Sequence, residues 1–169
     1  MSFDILQMDF QKFRRFLEEG EREMFIDSGM ARVDEDQRLL RLIRDSLKNC
    51  ENKLERAQAV SFCAVEGGTP LGYVFANVNG IARTAFVTSV YVAPRYRKQG
   101  VGRSLMEHLL THLEGQAIPD VGLAVTSTNE QALNLYESLG FEIKRHVMRR
   151  NTPRNRVATA NTNRREGKA

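Results

Sequence analysis

Apolar residues recur along this chain with two different periods, and the switches between them mark out its elements. Residues 3–8 (FDILQM) alternate loosely, which predicts a first strand. Asp9 then precedes a helical pattern with Phe10, Phe13, Phe16 and Leu17 on one face, broken at Ser28-Gly29. Asp34 and Asp36 lead into a longer helix in which Leu39, Leu40, Leu42, Ile43 and Leu47 recur at steps of three and four. That stripe is expected to face a core, with the Arg and Glu between its members in solvent. The middle of the chain is extended. AVSFCAV (59–65), the turn signal Glu66-Gly67-Gly68 and LGYVFANV (71–78) predict an antiparallel hairpin, and TAFVTSVYV (84–92) is a third β-rich run. Ala93-Pro94 ends that run, because proline has no amide to give a ladder and biases its predecessor away from helix. Val101, Leu105, Leu109 and Leu113 step by four, so a helix is expected to about Gly115. VGLAV (121–125) reads as a short apolar strand, and FEIKRHVM (141–148) as a final one. Between them NEQALNLYESLGF (129–141) is an amphipathic helix with Ala132, Leu135, Tyr136 and Leu139 inward. Hairpins favour antiparallel pairing and helices bury their stripes on sheet faces, so a mixed α/β sheet is expected, with no repeat or linker to divide it.

Composition changes this picture only at the C-terminus. The chain has 169 residues, 25 basic and 21 acidic, with a pI near 9.3. Residues 152–169 hold Arg154, Arg156, Arg164, Arg165 and Lys168 against Glu166, which leaves the preceding 151 residues with 20 charges of each sign. The body is neutral and the tail carries the excess. Residues 1–150 are therefore read as one domain and 151–169 as a basic polar tail, either solvated or touching an anionic partner. A neutral body without an aromatic-basic face argues against nucleic acid as the main partner. No apolar run approaches the roughly 20 residues of a membrane span. The N-terminus lacks a basic region and an apolar core of a secretory signal, and Cys50 and Cys63 match no metal or redox spacing. A cytoplasmic, reducing location without a membrane contact is the expectation.

The chemistry concentrates in RYRKQGVGRSLM (95–106), a basic turn with two glycines at the mouth of a helix. Glycine lets the backbone turn tightly, and the first amides of a helix lack partners, so such a turn can cradle an anion. Arg97, Lys98 and Arg103 add charge. A P-loop needs G-x-x-x-x-G-K-[ST], which is absent, and a dinucleotide fingerprint needs a third glycine where Leu105 stands. What remains is R-x-x-G-x-G, Arg97 to Gly102, which alone is also compatible with a helix start of no chemical role.

Together, SVYVAPRYRKQGVGRSLMEHLL and NEQALNLYESLGF resemble the GNAT superfamily of acyl-CoA-dependent N-acyltransferases, strongly from about Thr84 to Phe141 and in element order from residue 3 to about 150. The resemblance implies a mixed, largely antiparallel central sheet of six to seven strands flanked by about four helices. It implies acetyl-CoA as cosubstrate, with its pyrophosphate on the amides of Gln99, Gly100, Val101, Gly102, Arg103 and Ser104 beside Arg97. It also implies that the pantetheine arm pairs with Val90 and Val92, that Asn129 approaches the cosubstrate, and that Tyr136 protonates the leaving thiolate. A tyrosine with a pKa near 10 stays protonated at neutral pH and suits that role, although Tyr136 also fits an apolar stripe and Asn129 also fits a helix N-cap.

One departure stands out. Many relatives carry a glutamate base on a central strand, where this chain has Phe86, Thr88 and Ser89 on one strand and Ala124 on the other. No base is assigned, and His108, His112 and His146 do not supply one; no metal is expected. Residues 18–36 hold eight acidic and two basic residues, with Met24, Phe25, Ile26 and Met30 among them. Helix N-termini favour some of these acids, and the remainder suggest a pocket for a cationic amine, small or at a peptide N-terminus. The expected function is N-acetyl transfer in a ternary complex. The alternative is an acyl-CoA-binding module without turnover, and a homodimer is left open.

Overall fold

The computed structural model describes residues 2–29 and 36–145. Its strands are β1 (Asp4–Gln7), β2 (Ala59–Glu66), β3 (Thr69–Asn79), β4 (Thr84–Val92) and β5 (Asp120–Leu123), and its α-helices are α1 (Arg14–Asp27), α2 (Asp36–Glu55), α3 (Val101–Gly115) and α4 (Glu130–Ser138). The sheet runs β1-β2-β3-β4-β5. All neighbours are antiparallel except β4 and β5, which α3 joins as a crossover and which must therefore run parallel.

Helices cover both faces, so β2 and β3 are buried almost continuously rather than on alternate residues. Against α3 lie Phe62, Ala64, Leu71, Val74, Ala76, Ala85 and Val87, packed on Val101, Leu105, Met106, Leu109 and Leu113. On the other face Cys63, Val65, Tyr73 and Tyr91 meet Phe13 and Leu17 of the α1 region and Leu39, Ile43 and Leu47 of α2. Leu40, expected in the same stripe, is about half exposed (49%) because the buried face is a narrower i, i+4, i+8 row.

A β-bulge interrupts β4. Phe75 pairs with Ser89 but Ala76 with Val87, so Thr88 is an extra residue in β4. Side-chain parity changes across it. Ala85 and Val87 point to the α3 face, whereas Tyr91 joins the α1–α2 face and Val90 and Val92 take up the α3 side.

Two expectations change in detail. The first helix starts at Arg14 rather than at Phe10, because the Asp9 carboxylate accepts the Gln11 and Lys12 amides (3.1 and 2.9 Å) and holds a turn ahead of it. The final strand over 141–148 does not form in its described part. The Phe141 amide returns to the Tyr136 carbonyl (3.0 Å) in the turn at Gly140, and residues 141–145 lie in no strand; 146–148 fall outside the described residues, as does the tail. The described sheet thus has five of the expected six to seven strands, with the mixed, largely antiparallel arrangement intact.

Candidate active site

Pairing of β4 with β5 stops at Val87–Leu123, while β4 continues to Val92. The chain leaves β5 for the turn before α4, so among the described residues the 88–92 edge of β4 has no strand beside it: the sheet is notched. Alternate residues of a strand bond to alternate sides. Ala93 donates to Leu71 on the β3 side (2.9 Å), and the Val92 carbonyl accepts from Arg97 Nε (2.9 Å) on the other. Val90 shares the side of Val92 and so presents its amide and carbonyl to the notch.

Beyond β4 a 3-10 turn over Pro94–Tyr96 leads to the glycine turn. Lys98 and Gly100 both sit at positive φ (59° and 85°), and the Gln99 side chain ties the loop to the Arg95 carbonyl (2.8 Å). Gly100 is the N-cap of α3 and has no side chain to cap it, while the Ser104 amide already bonds the Gly100 carbonyl (3.0 Å). The Val101, Gly102 and Arg103 amides precede that first intrahelical bond and so have no acceptor within the helix. A Cβ at Gly100 would meet nothing within 4 Å, so space lies open over the turn. Gly102 is close-packed instead: a Cβ there would touch Val92 at 3.6 Å and Leu135 at 3.7 Å. An open turn with unpartnered amides at the positive end of a helix is suited to an anion such as a pyrophosphate.

The basic side chains of this region are largely engaged elsewhere. Arg97 pairs with Glu23 of α1 and lies 6.0 Å from the Tyr91 ring centroid. Arg103 reaches Ser138 Oγ (2.6 Å) and Glu107 (3.5 Å), stapling α4 to the first turn of α3. Anion capture at this turn therefore falls to the backbone more than to guanidinium charge.

Helix α4 stands beside that turn. Asn129 is its N-cap, with Oδ1 accepting the Ala132 amide (3.1 Å), so only its amide NH2 is left for a ligand. The Tyr136 ring packs against Phe141 (5.9 Å between centroids) and the α3-side core. Burial pushes its phenol above 10. The structure thus brings Val90, Val92, Arg97, Gln99, Gly100, Val101, Gly102, Arg103 and Ser104 around one notch and turn, with the helix bearing Asn129 and Tyr136 against them.

Sequence reasoning missed a buried carboxylate. Glu21 of α1 is only 5% exposed. Ser46 of α2 donates to its Oε2 at 2.6 Å, and Tyr73 of β3 and Ser89 of β4 donate to its Oε1 at 3.4 and 3.3 Å. Burial first, and Glu21 second, push the Tyr73 phenol well above 10 and the Cys50 thiol up to about 11. A signal did exist: Phe13, Leu17 and Glu21 are four apart, so a glutamate occupies a core position of the α1 stripe. Met24, Phe25 and Ile26 follow on α1, partly buried against the same core. Met30 and Asp34 to Asp36 give no side-chain detail, and His146 lies outside the described residues. His108 and His112 set their ring edges on Phe62, at 4.5 and 5.1 Å, and no cluster among the described residues has the ligands for a metal ion. No described helix is long and apolar enough to cross a membrane.

Comparison with known proteins bears on the same region. The chain is 40% identical over 67 residues to the [ribosomal protein bS18]-alanine N-acetyltransferase of Escherichia coli K12, covering 40% of this chain and 45% of that protein. It is 34% identical over 80 residues to the mycothiol acetyltransferase of Streptomyces coelicolor, covering 47% of this chain and 26% of that one. It thus spans less than half the length of these curated relatives. Its fold matches the crystal structure of the PaiA N-acetyltransferase from Thermoplasma acidophilum in complex with coenzyme A, with a TM-score of 0.69 at 20% identity, over 85% of this chain and 92% of that one. The model of the acetyltransferase (GNAT) family matches residues 13–141, helices, notch and glycine turn together, and the chain belongs to that family.

Proposed function

We propose that this chain transfers an acetyl group from acetyl-CoA to a primary amine, as one domain spanning residues 1–150 with a dispensable basic tail. The observation that carries the reading is the open β4 edge running into a glycine turn whose first amides have no helical acceptor. The Gly100 to Ser104 turn holds the pyrophosphate, with Gln99 and Arg97 shaping the loop. Val90 and Val92 offer the strand edge to the pantetheine arm, and the Asn129 amide NH2 reaches it from α4. Acetyl-CoA supplies an activated thioester. Tyr136, kept protonated by burial, gives the leaving sulfur its proton. The acceptor approaches from the α1–α2 side, where Met24, Phe25 and Ile26 provide apolar surface and the acidic residues of α1 favour a cation. A relative named for the alanine terminus of a ribosomal protein makes a peptide α-amine the first acceptor to try, with small cationic amines next.

The test is release of free thiol from acetyl-CoA in the presence of an alanine-initiated peptide, spermidine or an amino sugar, beside calorimetry of acetyl-CoA binding to wild type and Gly100→Glu. Turnover on any amine, with binding weakened at least tenfold in the variant, supports the reading. Binding without turnover would make the chain an acyl-CoA-binding module. Unchanged affinity in Gly100→Glu would move the pyrophosphate elsewhere.

A further inference from the structure

Resting on that reading, the remaining chemical need is a place for the proton that a cationic amine must lose before it can attack; β4 carries no carboxylate to take it, and Asp120 of β5 pairs with Thr84 at the end of the strand away from the notch. The carboxylate comes from behind the sheet. Ser89 is the first residue after the bulged Thr88 and the second after Val87, where β5 pairing ends. The bulge turns its side chain toward α1, and there its hydroxyl meets Glu21 at 3.3 Å. We infer that Glu21 holds the proton taken from the acceptor amine, reached through the Ser89 hydroxyl at the root of the notch.

Three features favour this over a purely structural role. An apolar residue would continue the Phe13–Leu17 row without the cost of burying a charge, yet a glutamate stands there. Its surroundings stabilise an anion through hydroxyl donors from α2, β3 and β4. Of those donors only Ser89 belongs to the strand that borders the notch; Tyr73 lies on β3, 2% exposed, and Ser46 lies on α2. The other titratable or charged groups near the carboxylate are Tyr73 from β3, Tyr91 from β4, Cys50 from α2, and Glu23 on its own helix, paired with Arg97.

The proton balance closes. As an N–H bond of the ammonium breaks, an O–H bond forms at Ser89 Oγ, whose own proton moves to Glu21 and later returns to solvent. The neutral amine forms its bond to the acetyl carbon as the carbon–sulfur bond breaks. The second proton leaving nitrogen balances the one that Tyr136 delivers to sulfur. One amide, one free thiol and one solvent proton result. Glu21 touches no reacting atom, so it is a positioning residue, and its test needs a readout that loss of packing would not produce.

That readout is the pH dependence of kcat/KM, measured for wild type, Glu21→Gln and Ser89→Ala with spermidine and with an alanine-initiated peptide amide, alongside melting temperature. Wild type should be flat from neutral pH up to the pKa of the amine, because the ammonium form it accepts stays fully populated over that range. Glu21→Gln can use only free amine, so its kcat/KM should rise about tenfold per pH unit. At pH 7 an alkylamine with a pKa near 10.4 is neutral to roughly one part in 10³, and an α-amine with a pKa near 8 to about one part in ten. The loss should therefore be about 10²–10³-fold for spermidine and about tenfold for the peptide, and should vanish as pH approaches the pKa of each amine. Ser89→Ala should show the same slope, and it carries the test alone if Glu21→Gln does not fold. A flat profile lowered equally for both acceptors in either folded variant would overturn the inference while leaving the acetyltransferase reading in place. No turnover by wild type on any amine would take both down.

Discussion

Gly20→Ala tests how closely α1 crosses the sheet. A Cβ at Gly20 would lie 2.5 Å from the Tyr73 hydroxyl oxygen, 2.7 Å from Tyr73 Cε1 and 2.9 Å from Tyr91 Cδ1. Carbon contacts settle at about 3.5–4.0 Å, so both rings would have to move by roughly 1 Å. Neither has room. Tyr73 is 2% and Tyr91 6% exposed, and each is locked edge-on against Phe16 at 6.0 and 5.5 Å. Helix propensity pulls the other way, since alanine in place of a mid-helix glycine gains about 1 kcal/mol. Overpacking by one methyl in a rigid core costs about 1–3 kcal/mol. With three contacts on two held rings the upper part of that range applies, for a net loss of about 1–2 kcal/mol and a fall in Tm of about 2–8 °C. Thermal melts of wild type, Gly20→Ala, Tyr73→Phe and the double variant form the assay. Removing the hydroxyl removes the nearest atom, so the alanine should cost less in the phenylalanine background. A Gly20→Ala protein more stable than wild type by the propensity gain would refute the crowding argument.

Other expectations rest on the same geometry. Tyr136→Phe should lower kcat by about 10²–10⁴-fold with little change in acetyl-CoA affinity, because in the proposed site backbone amides hold the pyrophosphate; its Tm should change modestly, since the ring that packs on Phe141 is retained. Near-normal kcat would reduce Tyr136 to packing. Stability should fall as pH rises above about 9. Burial raises the Cys50 thiol to about 11, the Cys63 thiol to about 12, and the phenols of Tyr73, Tyr91 and Tyr136, so at alkaline pH the folded chain binds more protons than the unfolded one. Their contribution is full below the unfolded values and lost through the folded ones; Tm unchanged between pH 8 and 11 would contradict it. Deleting residues 153–169 should leave turnover on a small amine within a few-fold, and loss of all activity would tie the tail to the site.

What was legible in the chain was whatever repeats locally. The Val101–Leu113 step of four, the hairpin punctuated by Gly67-Gly68 and the glycines of the α3 turn are signals within one element, and each formed where expected. The candidate site drew on more. Glu21 is built from α1, α2, β3 and β4 at once, and partners 25 to 68 residues away leave no local spacing to read. The positive φ of Lys98 had no glycine to announce it. The extra residue at Thr88 belongs to a strand whose composition looks regular throughout; only the pairing with β3 exposes it.

That extra residue has a consequence for engineering. Odd-numbered side chains face α3 before Thr88 and even-numbered ones face it afterwards, so the bulge absorbs one position of the strand. Deleting Thr88 would join Val87 to Ser89, and plain alternation would then set Ser89 toward Glu21 and Val90 toward α3, the sides they already take. Pairing with β3 would be kept as well, since Ser89 still meets Phe75 and Val87 still meets Ala76. The bulge is thus the point at which β4 can lose a residue without exchanging its faces, and what the deletion would remove is the local bend and added twist beside the notch.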